Sequence, residues 1–156
     1  MGVSRFRLHT PPDWQEGGSV YMPDSETIIY RAWKIEAQKQ RGMPMTIFTI
    51  KHDGTGLRQI TDEPGTNWAP YPAPDGKHFA FVKLLPPRNF EIFLMNLETK
   101  EQTRLTYNDA FDGFPAIAPD GKTLAFSSSR DAAPGERKLF LYLIDISSLN
   151  VGPRRR

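Results

Sequence analysis

The chain has 156 residues, a formal net charge of +2, 38% hydrophobic residues and no cysteine. That length fits one ordinary domain with a real core. The near-neutral balance offers no nucleic-acid or membrane surface, and the missing thiols exclude disulfides and thiolate metal sites. Fourteen prolines, twelve glycines and 12% aromatic residues are the profile of many short strands joined by tight turns.

The opening "MGVSRFRLHTPPDW" has no apolar h-region, so no signal peptide is expected in it. No run approaches the ~18 apolar residues that span a bilayer. "RFRLHT" (5–10) reads as an outermost strand. "MPDSETIIY" (22–30) is a turn leading into a strand. "AWKIEAQKQRGMP" (32–44) is an insertion whose "WKIEAQKQ" stretch predicts a short helix stopping at Arg41-Gly42. "HDGTG" (52–56) is a turn. Four strands follow in "LRQIT" (57–61), "APYPA" (69–73), "HFAFV" (78–82) and "EIFLMN" (91–96), with period-two alternation and a Pro-Asp-Gly turn between the second and third. "FPAIAPDGKTLAF" (114–126) and "LYLIDI" (141–146) repeat the pattern, and 147–156 reads as a tail.

The repetition is the strongest signal. A shift of about 45 residues carries Ala73-Pro74-Asp75-Gly76-Lys77 onto Ala118-Pro119-Asp120-Gly121-Lys122, and Ala80-Phe81 onto Ala125-Phe126. Pro23-Asp24 begins a third, degraded copy with Ser25 where Gly stands elsewhere. Four strands recurring every ~40–50 residues is the pattern of β-propeller blades, whereas a sandwich predicts no self-similarity. The expected fold is all-β, with three four-stranded antiparallel blades at approximately 5–51, 57–96 and 102–146, the last missing its outer strand. Pro, Asp and Gly recur for turn chemistry: Pro presets φ, Asp bonds the backbone two residues on, and Gly accepts positive φ. Pro23, Asp24, Pro74, Asp75, Gly76, Pro119, Asp120 and Gly121 are therefore read as structural, not as a triplicated active site.

These residues resemble the PD40 repeat of TolB-like β-propellers. "PYPAPDGKHFAF" with "IFLMNL", and "FPAIAPDGKTLAFSSSR" with "LYLIDI", carry the resemblance, which covers essentially residues 5–146. It implies a non-catalytic scaffold or module that binds protein or peptide, and it associates the family with the periplasm. Two alternatives stay open: the gating propeller of a prolyl-oligopeptidase-type serine hydrolase, and a calcium-dependent six-bladed propeller hydrolase. Such propellers usually have six or more blades, and this chain holds three. It is thus half of a six-bladed ring completed by self-association, a fragment of a longer propeller, or a compact three-blade monomer.

Alternate connections of a blade lie on opposite faces. The Pro-Asp-Gly and "HDGTG" turns share one face, and the longer, non-repeating connections gather on the other, where binding is expected. Trp33, Lys34, Trp68, Arg88, Asp112 and Arg130 are the candidates there, with Trp and Arg favoured as anchors. Trp68 and Phe114 are also natural inter-blade packing residues. A calcium ion on Asp62, Asp109 and Asp112 is a minor alternative; no other cofactor is expected. No nucleophile elbow and no phosphate loop occur, His9, His52 and His78 lack ligand spacing, and the run Ser127–Ser129 reads as strand-end polarity.

Overall fold

The computed structural model describes Arg7, Leu8 and residues 11–40 and 42–153. Eleven strands run in chain order: β1 Trp14–Tyr21, β2 Thr27–Lys34, β3 Thr46–Lys51, β4 Arg58–Gln59, β5 Asn67–Pro72, β6 His78–Leu85, β7 Asn89–Asn96, β8 Gln102–Arg104, β9 Asp112–Ile117, β10 Thr123–Ser128 and β11 Phe140–Asp145. They form three antiparallel sheets, β1-β2-β3-β4, β5-β6-β7-β8 and β9-β10-β11. The all-β blade architecture expected from the repeat is present, and the third sheet has no outer strand among the described residues. Each sheet starts with an inner strand, and the first two end with the outer one, so the sheets are cut one strand later than the sequence units. Arg58-Gln59 pairs back onto Phe48 and Thr49 rather than forward. The proposed outer strand at 5–10 lies largely outside the described residues; Arg7 and Leu8 carry no strand pairing.

Period-two alternation places one row of each sheet against its neighbour. Ile29 and Ile47 of the first sheet pack on Phe79, Phe81 and Met95 of the second. Ala80, Val82, Ile92 and Leu94, on the other face of that second sheet, pack on Leu124 and Phe126 of the third. All of these are at most 5% exposed. Each such side chain except Ala80 contributes about 1.5–3 kcal/mol relative to exposure.

Three local expectations are corrected. Trp33 and Lys34 extend β2, paired with Gln15 and Trp14, so the predicted helix shrinks to a 3-10 turn at Ile35–Lys39. Ladder pairing and the β preference of Trp override the helical pattern there. The stretch "KLLPPRNF" (83–90), expected among the longer connections of the binding face, is mostly strand: β6 continues to Leu85 and β7 begins at Asn89, leaving only 86–88 as a connection. The described part of the tail is packed, not loose. Val151 is fully buried in the second core cluster, and its carbonyl accepts the Asp75 N–H at 3.1 Å.

One irregularity repeats. Each inner strand carries a β-bulge, and the residue in it has a left-handed backbone: Gly18 (φ 61°), Ala69 (φ 50°) and Phe114 (φ 55°). A bulge of this kind bends the strand and re-aims a side chain. Only the first copy uses the residue that suits it.

Candidate functional site

On the turn face each repeat aspartate accepts hydrogen bonds from its own turn. Asp24 Oδ1 accepts the N–H groups of Glu26 (3.0 Å) and Thr27 (2.9 Å), and Oδ2 accepts the Thr27 hydroxyl at 2.7 Å. Asp75 does the same for Lys77 (2.8 Å) and His78 (3.0 Å), and Asp120 for Lys122 (3.0 Å). Burial pushes the Asp24 carboxyl up, but the hydrogen bonds from Thr27 and Glu26 outweigh it and hold it below the ordinary value. The next residue is left-handed in every copy: Ser25 (φ 60°), Gly76 (φ 69°) and Gly121 (φ 72°). Pro23, Pro74 and Pro119 precede the three aspartates. His78 is tied into the second turn by both ring nitrogens. Its Nδ1 lies 2.6 Å from Asp75 Oδ2 and its Nε2 lies 3.1 Å from Asn96 Nδ2, an arrangement that suits a proton on Nδ1.

The opposite face collects the connections 35–45, 60–66, 86–88, 105–111 and 129–139. Two buried carboxylates organise it. Asp112 has no exposed surface; its Oδ2 accepts from Arg130 Nη2 at 2.9 Å and from the Asn108 side-chain amide. Placing Asp112 on an exposed binding face is therefore corrected. It opens β9 and points into the blade, where it anchors Arg130. Arg130 also donates from Nε to Ser128 Oγ at 2.9 Å, and its guanidinium lies 5.3 Å from the Phe126 ring centre and 4.7 Å from that of Tyr142. A third of its side chain remains exposed.

Glu91, equally buried, was not singled out from the sequence. Its Oε1 accepts Asn89 Nδ2 (2.8 Å), the Asn108 N–H (3.0 Å) and Arg104 Nη2 (3.0 Å), and its Oε2 accepts the Thr106 hydroxyl. Thr106 Oγ1 in turn accepts the Ile92 N–H at 2.9 Å. The network ties the outer strand of the second sheet to the loop that feeds the third. A lone Glu within an apolar strand was the only signal for it. Ser128 Oγ accepts the Arg130 N–H at 3.2 Å, and Ser129 Oγ accepts the Phe111 N–H at 3.1 Å. Among the described residues no three His, Asp or Glu side chains converge as a metal-ligand group.

Aromatic side chains gather beside this network. Trp68 stands edge-on to Phe114 (5.1 Å) and Phe90 (6.2 Å), and Phe111 lies 6.3 Å away. Phe90 and Phe111 are 5.5 Å apart. Trp68 is half-buried, with its indole N–H in no hydrogen bond, and Phe114 is 54% exposed. Trp68 and Phe90 line a shallow apolar pocket of about 290 Å³ with Met43, Met45 and Thr66. A second depression next to it includes Leu84, Pro87, Phe90 and the exposed Arg88. The structure thus brings Trp68 and Arg88 together through Phe90. Trp33 and Lys34 stand apart from both depressions. Trp33 is half-buried in β2 with the Arg31 guanidinium 5.8 Å from its ring centre. Met43, Met45, Phe90 and Phe111 were missed because their role depends on the insertion folding back over the second sheet, where Met45 bridges to Thr66.

Comparison with known proteins agrees with this architecture. A family model described as the TolB beta propeller domain (PD40) matches residues 19–151. TolB from Acinetobacter baumannii superposes with a TM-score of 0.70 at 25% identity, covering 88% of this chain and 31% of that one. A puromycin-hydrolyzing peptidase of Mycobacterium tuberculosis superposes with a TM-score of 0.66 at 18% identity, over 89% of this chain and 23% of that one, a likeness of fold alone. An uncharacterized protein of Agrobacterium fabrum is 28% identical over 103 residues, 66% of this chain. The chain spans about a third of that relative's length (33%). With three blades built on the Pro-Asp turn and a family match over nearly all of the described residues, this chain belongs to the TolB β-propeller family.

Proposed function

We propose that this chain is a non-catalytic propeller module that binds protein or peptide on its long-loop face. The observation that carries the reading is Phe114. A large aromatic side chain is held 54% exposed at a left-handed bulge, edge-on to Trp68, which itself lines a Met-walled pocket. Exposed aromatic surface on a rigid scaffold, next to adaptable methionines, is the composition of a peptide-binding site. Arg88 at its rim favours an acidic group in the ligand.

Selection of peptides from a displayed random library against the intact chain tests the loop-face site. The expected ligands combine apolar and acidic residues and lose about tenfold in affinity against Phe114→Ser. Ligands that bind wild type and Phe114→Ser equally well overturn the assignment.

A further inference from the structure

Two junctions join the three sheets, and their turn-face mouths are built from equivalent residues. The Met22 N–H donates to the Thr27 carbonyl as the Ala73 N–H does to that of His78. Ile60 bonds back to Ile47 as Leu105 does to Ile92, and Leu97 donates to Lys77 as Ile146 does to Lys122. Between the second and third sheets the mouth is filled. Val151, with no exposed surface, is buried in one cluster with Ala73, Leu94 and Ile146, and Leu105 packs against it. Its carbonyl accepts the Asp75 N–H at 3.1 Å. Gly152 follows, so close to the next turn that a Cβ on it would lie 2.6 Å from the Asp120 carbonyl oxygen.

Between the first and second sheets the same place is open. A notch of about 260 Å³ has Met22, Ile60 and Leu97 as apolar walls, with Asp24 on one side and Gly76 on the other. A Cβ on Gly76 meets nothing within 4 Å, whereas one on its equivalent Gly121 would strike Gly152. The Asp24 N–H, the equivalent of that of Asp75, donates to no acceptor among the described residues.

We propose that this notch is a second binding site, which takes an extended, uncharged segment of a partner protein: a β-branched apolar residue followed by glycine. Val151-Gly152 shows how such a segment fits. The apolar side chain enters between Met22, Ile60 and Leu97, its carbonyl accepts the Asp24 N–H, and the glycine passes over Gly76. A main-chain hydrogen bond for affinity beside one side-chain pocket for specificity is a general mode of peptide recognition. Met22 stands where the filled junction has Ala73, and its flexible thioether adapts the floor to the side chain that enters. The rim carries Lys51 and Arg58 against Asp24 and Glu98, with Arg58 paired to Glu98 at 2.8 Å, so no net charge selects a charged occupant. The walls come from two sheets that pack directly on each other, so an added blade would not occupy the notch. This site lies on the turn face and does not depend on the loop-face reading.

Titration of the isotope-labelled intact chain with a peptide of residues 147–153 (SSLNVGP), followed by NMR, is the test. Saturable shifts are expected at the amides of Asp24, Gly76 and Leu97. Peptides carrying Val151→Asp or Gly152→Ala are expected to bind about tenfold more weakly or worse. In the chain, Gly76→Asn keeps a residue that tolerates the left-handed turn and puts a side chain into the notch. It is expected to abolish the shifts, with a melting curve verifying the fold. Absence of shifts at Asp24 and Gly76 in wild type overturns the proposal, as does a peptide that binds Gly76→Asn as tightly as wild type. Shifts confined to Asp75 and Gly121 also overturn it, since the peptide then only displaces the chain's own segment. Asp24 and Gly76 amides that move with chain concentration alone make the occupant a second copy and overturn the assignment to a partner protein.

Discussion

The Phe114 ring stands edge-on to Trp68, their centroids 5.1 Å apart, on a backbone whose φ of 55° disfavours any residue with a Cβ. Position and strain belong together, because the bulge that costs stability is what turns the ring outward. Phe114→Gly is expected to leave stability unchanged or raise it by up to ~1 kcal/mol, while peptide binding falls. Ala69→Gly, at the equivalent bulge of the preceding sheet, is expected to raise stability by a similar amount without touching binding. Urea denaturation and a binding titration on the two variants separate these outcomes.

Arg130 and Asp112 form a pair of which only the cation reaches solvent. Removing the cation strands a buried carboxylate. Arg130→Met is therefore expected to cost about 3–5 kcal/mol, and Asp112→Asn, which keeps the shape and removes the charge, distinctly less. Chemical denaturation of both variants measures the difference.

Thr61 and Thr106 accept the N–H groups of Ile47 and Ile92, each at 2.9 Å, but only Thr106 also donates to a buried carboxylate, that of Glu91. Thr61→Val is expected to cost about 1–2 kcal/mol. Thr106→Val is expected to cost about 1–3 kcal/mol more, because Glu91 loses a donor it cannot replace with water. Equal losses in the two variants contradict this account of Glu91.

Gly76 and Gly121 occupy the same turn position with φ of 69° and 72°. A Cβ on Gly76 meets nothing within 4 Å, whereas one on Gly121 lies 2.3 Å from the Gly152 backbone. Gly76→Ala is expected to cost about 1 kcal/mol for the conformation alone. Gly121→Ala must in addition displace residues 151–152, and is expected to lower the melting temperature several times further.

The stability profile has two titrating arms. Asp24 is held below its ordinary 3.8, so its contribution is present above that pH and is lost as the pH falls through the lowered value. Asp24→Asn removes that acid dependence. Burial and the Glu16 carboxylate push the Tyr30 phenol up to about 12. Its contribution is complete below the ordinary 10.0 and is lost between there and about 12. Tyr30→Phe is expected to flatten the alkaline arm of a pH series of melting curves.

The architecture was legible because the repeat writes the same turn chemistry and the same alternation three times, and each is a local property of a few residues. Asp24, Asp75 and Asp120 do in the structure what their place in the turn implied. Trp33 illustrates the opposite case: its neighbours suggested a helix, but its partner Gln15 lies far enough back in the chain that only the ladder reveals the pairing. Asp112 looked like a surface acid because it sits in a polar loop. Its burial depends on Arg130, which arrives from another strand end. The groove around Trp68 and Phe90 required the insertion to be placed over a different sheet, information no short window contains.

Val151 and Gly152 belong to no sheet, yet the first bonds the turn at Asp75 and the second packs against the turn at Asp120. The segment acts as a clasp across the seam between the second and third blades. The blades are therefore not interchangeable cassettes. Grafting the third blade onto another propeller by its strands alone would carry its hydrophobic side but leave the seam unfastened, and the transferable unit runs from Asp112 through Gly152.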